Sequence, residues 1–257
     1  MFIVWGKKLV YQNLGYVADF CLICRGPRAF SIRRIGIAGH VYYISMGVGE
    51  LIGWERKCLE CKTTFQADPS NYKSQANKLG TIELLIAETY PSFAEAWGER
   101  ITLEQRIKKG SSDLSVEERT SLIYEPFLIL SPMVEARFAS IHLDKEVGFA
   151  ALGAIGLLIA IPAIASATMY IKIETAWITA FALSFLLVIW QIATTGRRYL
   201  HRVTLPTLAI ALRPLQPNDS ELNAVLAVLK SHGHKIGLKL RAVDLLASIN
   251  QYGNGHT

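Results

Sequence analysis

Two long stretches of this chain carry no charged residue. Between Glu146 and Lys172 lie 25 uncharged positions and between Glu174 and Arg197 another 22, most of them apolar. A helix needs about 20 apolar residues to cross a hydrocarbon core about 30 Å thick, so residues 147–171 and 175–196 are predicted to be membrane-spanning helices. The break at Lys172, Ile173 and Glu174 is too short to do anything but return the chain, which makes 147–196 an antiparallel hairpin. Gly156 and Ala160 stand four apart on the first helix, the spacing at which small residues let helix backbones approach closely, and are expected at the seam. Pro162 is expected to kink the same helix. Tyr170 and Trp177 flank the break as interfacial aromatics do. A substrate pathway normally carries intramembrane charge, and these spans have none.

Elsewhere the apolar positions recur at shorter range. Residues 1–66 alternate brief β-prone runs with Gly-rich breaks, which predicts short strands at 2–5, 15–20, 29–32, 40–45 and 50–56. The polar stretch 68–79, with Pro69, Ser70 and Asn71, reads as a boundary. Helical spacing then takes over in a module from 67 to 146. Its expected starts are a short helix over 81–89 and the capping-box pairs Ser92 with Glu95, Thr102 with Gln105, and Ser115 with Glu118. Gly110 is an expected stop, and Pro126 and Pro132 are expected to break or kink the last helix. In the tail, 197–257, Asn218 and Glu221 form another capping box ahead of a stripe at Leu222, Val225, Leu226 and Leu229. Beyond His232-Gly233-His234 a second stripe is expected at Ile236, Leu240, Val243 and Leu246. The predicted fold class is therefore an α+β membrane protein in four parts: a small β-rich zinc ribbon (1–66), a helical module (67–146), a transmembrane hairpin (147–196) and an amphipathic helical tail (197–257).

Charge orients this arrangement. Of the net +6, the tail contributes 8 Lys and Arg against 3 Asp and Glu. Basic residues directly after a membrane helix collect on the cytoplasmic side, and with two spans the N-terminus returns to that side. The run after Met1 is interrupted by Gly6, Lys7 and Lys8, so export by a signal peptide is not expected. The implied location is the bacterial inner membrane with both termini cytoplasmic, and the lipid bilayer is the first partner.

All four cysteines fall in the first 61 residues as two Cys-x-x-Cys pairs, Cys21 with Cys24 and Cys58 with Cys61. Each pair can present two thiolates from one tight turn, and two such turns make a closed tetrahedral Zn²⁺ site. In a cytosolic segment this pairing favours metal over disulfides. A sheet of this size gains little from its core alone, so a structural Zn²⁺ supplies the missing stability; a redox dithiol, disulfides or iron are the alternatives for the same spacing. Arg25, Arg28, Arg33 and Arg34 lie near these turns among Phe30, Tyr42 and Tyr43, a composition that can contact single-stranded nucleic acid, although a solvated strand face explains it more simply. The metalloprotease motif HExxH, the nucleophile elbow GxSxG and the phosphate loop GxxxxGK[ST] do not occur in the sequence.

The opening Phe2-Ile-Val-Trp-Gly-Lys-Lys, the run Leu14-Gly-Tyr-Val-Ala-Asp-Phe-Cys21-x-x-Cys24, and Cys58-x-x-Cys61 ahead of Phe65 resemble the N-terminal zinc ribbon of uncharacterised bacterial membrane proteins, over about a quarter of the chain. One departure stands out. Zinc knuckles usually place Gly directly after the second cysteine, where a positive φ is useful, and here those positions hold Arg25 and Lys62. The resemblance implies fold and metal rather than activity. The expected function is non-enzymatic: a membrane-anchored zinc-ribbon adaptor or scaffold that presents a cytoplasmic surface to a protein partner. The alternatives are a membrane-tethered nucleic-acid binder and, behind it, a CxxC thiol oxidoreductase; association into a homo-oligomer stays open.

Overall fold

The computed structural model describes residues 5–42, 44–110, 114–139, 144–168 and 172–254, with side chains to 251. Most of the strand expected over 2–5, together with Tyr43 and Tyr170, falls outside these residues. The chain is an α+β protein with an antiparallel sheet and two helices long and apolar enough to cross a membrane. It divides into two compact units: Met1–Ile129 with Thr207–Glu221 and Leu246–Thr257, and Leu130–Pro206 with Leu222–Leu245.

The first unit is built on a long hairpin. Strand β1 (Trp5–Cys21) pairs with β2 (Gly26–Val41) along its whole length, and the short β3 (Ile44–Ser45), β4 (Glu50–Cys58) and β5 (Thr64–Ala67) complete the sheet in the order β1-β2-β4-β5, with β3 on β2. The runs expected at 15–20 and 29–32 are thus only the cores of strands more than twice as long. The glycines that read as breaks lie inside the ladder, because cross-strand pairing outweighs local propensity. Gly36 shows why glycine is there: a Cβ on it would stand 2.3 Å from the carbonyl oxygen of Val48. At Leu14 the β1 register slips by one residue against β2, and the following Gly15 takes φ +137°. A Cβ at Gly15 would lie 2.7 Å from the Ala76 oxygen, so this bulge lets residue 76 reach the sheet edge.

That approach gives the polar stretch before the helices a structural role. Tyr16 and Ala76 exchange backbone hydrogen bonds of 2.8 and 2.9 Å, which covers part of the open edge of β1. Ala76 and Ala18 pack with Leu85 of α1 (Ile82–Thr89) in a buried cluster. Thr81 caps α1, accepting from the Leu84 amide, and Thr89 at the other end accepts from the Ala18 amide at 3.0 Å. Helix α2 (Phe93–Lys109) stops at Gly110, as expected. It starts where expected, with Ser92 at the N-cap, but the Ser92 side chain makes no cap bond, and Thr102 starts no second helix: it sits in mid-helix with its hydroxyl bonded back to the Gly98 carbonyl. Helix α3 (Val116–Ala139) does open on its capping box, Ser115 and Glu118 exchanging bonds of 2.9 and 3.1 Å, and it continues through Pro126 and Pro132 without a break.

In the second unit, α4 (Lys145–Thr168) and α5 (Ile173–Tyr199) form the apolar hairpin. At ~1.5 Å per residue each exceeds the hydrocarbon thickness. Only 22% of the apolar window in the first and 17% in the second is buried, unlike a core helix of a soluble protein. The seam is made by Val147, Ala150, Ala154 and Ala165 of α4 against Ala176, Ala180 and Ser184 of α5, and the Ser184 hydroxyl donates to the Ala154 carbonyl at 2.9 Å. Gly156 and Ala160 face outward, so the expected small-residue pair is not the seam. Both faces of α4 carry small residues at spacing four, and the rotation of the helix chooses between them. At the charged end, Asp144 caps α4 through the Val147 amide and takes a forked ion pair from Arg198 at 2.9–3.1 Å; Arg202 pairs with Glu146. A further contact lies nearby, where Phe138 packs against Gly196 so tightly that a Cβ there would fall 2.6 Å from the ring.

After α5 a π-helical turn (Leu200–Thr204) leads into α6 (Leu205–Leu212), followed by α7 (Asp219–Ser231), α8 (Lys235–Lys239) and α9 (Ala242–Asn254). Asn218 and Glu221 make their reciprocal cap at 2.8 Å, and Leu222, Val225, Leu226 and Leu229 are buried as the spacing predicts. The second stripe differs. The helix breaks at Leu240 and Arg241, Val243 points to solvent at 70% exposure, and Leu245 and Ile249 take the buried positions. The tail also packs on α3: Ser131 bonds His234 Nδ1 at 2.7 Å and Glu135 accepts from the Lys235 amide.

Candidate metal centre

The β1–β2 turn and the β4–β5 turn each carry one Cys-x-x-Cys, and the sheet brings them together. β2 lies between β1 and β4, and Cys58 pairs across from Phe30 while Cys21 pairs across from Gly26. The four sulfurs all lie within 4.8 Å of one another, with Cys21–Cys61 at 3.6 Å and Cys24–Cys58 at 3.9 Å. None is in a disulfide. A tetrahedron of thiolates around a metal at ~2.3 Å has sulfur–sulfur edges of about 3.8 Å. The cage is thus of metal-binding size, and the four residues predicted as ligands are the four that meet.

The turns have knuckle geometry despite their sequence. Arg25 and Lys62 both take left-handed backbone, φ 55° and 61°, a conformation that costs a non-glycine residue roughly 1–2 kcal/mol. Each turn closes with backbone bonds: the Cys24 amide points at the Cys21 sulfur at 3.4 Å, and the Lys62 amide donates to the Cys58 carbonyl at 3.1 Å. Crowding couples the thiols. Hydrogen bonding with the neighbouring sulfurs and burial push the Cys21 thiol up, whereas hydrogen bonding with the same cluster pushes Cys61 well down. The steps in which protons leave this cluster therefore belong to the four thiols together and not to single residues, and a cation placed at the centre would favour the thiolate form of all four.

Behind the cage stands a set of buried charges that sequence reading missed. Two residues before Cys21, the buried Asp19 accepts from Tyr72 at 2.5 Å and pairs with Arg56, which lies two residues before Cys58. The Arg56 guanidinium sits over the rings of Phe30 and Phe65 at 5.4 and 5.8 Å. The equal offset of Asp19 and Arg56 from the two cysteine pairs was the available signal. Beside the first knuckle, Arg25 is buried and donates to Glu104 at 2.7 Å and to the Ala211 carbonyl at 3.3 Å; Glu104 is shared with Arg100, which forks onto Glu125. Trp97 of α2 stacks on Phe20 at 5.2 Å.

These contacts place the four arginines considered for nucleic acid. Arg25 is inside the protein. Arg33 pairs with Glu55 at 2.5 Å, and Arg34 donates to the carbonyls of Val48 and Gly49. Arg28, whose guanidinium bonds the Pro27 carbonyl, lines a cleft of about 610 Å³ with Cys24, Cys61 and Arg213. They do not form one basic face. Comparison with protein-family models, with curated protein sequences and with solved structures returns no match for this chain.

Proposed function

We propose that this chain is a membrane-anchored zinc-ribbon adaptor: Cys21, Cys24, Cys58 and Cys61 hold one structural Zn²⁺, helices α4 and α5 span the bacterial inner membrane, and the sheet offers a cytoplasmic surface to a protein partner. The observation that carries the reading is the closed cage of four sulfurs. All four thiols face one another, a geometry suited to a metal held for structure and not to a dithiol offered to substrate. The far end of the sheet supports the choice of a protein partner. There Trp5 pairs across from Val41 and Val41 from Ile44, and Trp5, Ile44 and Met46 are 82, 75 and 71% exposed; contiguous apolar surface of this kind marks interaction sites. All four arginines considered for nucleic acid bond to partners within the protein, which favours the protein-binding reading.

Metal analysis of the purified full-length chain is expected to find close to one zinc per chain. Cys58→Ser is expected to lose the metal and most of the cooperative unfolding of the sheet, since four-thiolate zinc sites supply roughly 10–16 kcal/mol at neutral pH. A metal-free variant with an unchanged unfolding curve would remove the zinc from this reading.

A further inference from the structure

At the charged end of the membrane hairpin two clefts of about 230 and 370 Å³ share Thr194, Arg197 and His201 and therefore adjoin. Most of the basic residues around them are occupied. Arg198 forks onto Asp144, Arg202 pairs with Glu146, and Arg241 pairs with Asp244 at 3.2 Å. Arg197, His201 and Lys239 differ: among the described residues their side chains have no hydrogen bond or ion pair, and all three line the larger cleft. Its other wall is apolar, formed by Phe138, Ala193 and Leu238. The contact of Phe138 with Gly196 fixes that wall against the end of α5. Two cationic side chains and an imidazole without partners thus converge beside an apolar surface, one residue beyond the end of the uncharged span at 196.

We infer that this double cleft is a binding site for the phosphate of an anionic phospholipid headgroup, with Arg197, His201 and Lys239 as its donors and the Phe138 wall against the start of the acyl chains. The inference rests on the reading of α4 and α5 as membrane spans. Basic pockets at the cytoplasmic ends of membrane helices are where anionic headgroups are held. A free phosphate has the same charge chemistry, but it has no use for the apolar wall. Asp244 lies in the larger cleft as well, and its charge is matched by Arg241.

The test uses the full-length chain in vesicles of phosphatidylcholine alone and of phosphatidylcholine with equimolar phosphatidylglycerol, followed by gentle detergent extraction and mass measurement of the lipid each chain retains. Wild type is expected to retain phosphatidylglycerol in preference to phosphatidylcholine, and R197Q/K239Q to weaken that retention about thirtyfold. The control K108Q/K109Q, which removes two exposed charges at the end of α2, is expected to leave it unchanged. Equal retention by wild type and R197Q/K239Q, an equal loss in the control, or displacement of the lipid by inorganic phosphate would overturn the site. An alkaline carbonate wash of the same vesicles reads the anchor separately. Release of the chain overturns the membrane reading and the site with it, whereas a chain that stays in the vesicles without lipid preference overturns the site alone.

Discussion

Arg56 is enclosed by groups that each answer one property of a guanidinium. Asp19 supplies the opposite charge, the Tyr72 hydroxyl accepts at 2.8 Å, and two aromatic rings cover its faces. Since Asp19 is 2% exposed, neither charge is held in place by solvent. Removing one partner of a buried pair leaves the other uncompensated and costs about 3–5 kcal/mol. Asp19→Asn is therefore expected to lower the thermal unfolding midpoint of the metal-loaded protein sharply, and Asp19→Asn combined with Arg56→Leu to recover part of the loss. An additive double variant would show that the two residues act independently. The pair was hard to see in the sequence because Asp19 and Arg56 are 37 positions apart and their equal offset from the two cysteine pairs is the only mark they carry; the antiparallel order of β1, β2 and β4 brings them within reach.

At the scale of elements, the two knuckle turns solve one backbone problem with different side chains. Both need a left-handed residue after the second cysteine. Arg25 is fixed by its buried bond to Glu104, while Lys62 is exposed and its ammonium bonds only the nearby Leu59 carbonyl at 2.5 Å. Lys62→Gly relieves the strained φ at the cost of greater chain freedom when unfolded, and is expected to stabilise the zinc-loaded protein by about 0.5–1 kcal/mol. Arg25→Gly relieves the same strain but leaves the buried Glu104 with one cation fewer, so it is expected to destabilise. Opposite signs in chemical denaturation would support this division, and the same sign for both would contradict it. The helix starts teach a related lesson. The boxes at Ser115 and Asn218 form at the first turns of α3 and α7, whereas Thr102 lies within a helix already begun at Phe93, and its signature is used up in a bond back to Gly98.

For the whole molecule the proposed membrane hairpin would set the topology. As proposed, two spans return the chain to the side it left, and the excess of Arg after α5 is expected to hold that side in the cytoplasm. Tags at the two ends of the full chain are therefore both expected to resist protease added outside intact cells and to be cut after the membrane is opened. A tag cut from outside would reverse the orientation or remove a span. The ion pair of Arg198 with Asp144 joins the charged ends of the two helices; in the proposed bilayer each charge would remain at the water interface while the apolar faces stay in lipid.

Composition and spacing by themselves determined the uncharged spans, the four thiols and the capping boxes at Ser115 and Asn218, because hydrocarbon thickness, tetrahedral thiolate chemistry and helix-end hydrogen bonding all act over a few neighbouring residues. The tertiary structure decided the rest. It extended β1 and β2 past glycines that locally read as breaks, placed the seam of α4 at Ala150 and Ala154 instead of Gly156 and Ala160, and split the last stripe at Leu240. It also decided which arginines are free: Arg25 turned inward, Arg33 and Arg34 were taken by the sheet, and Arg197 was left open. In each case several local arrangements have similar energy, and the choice among them belongs to partners distant in the chain.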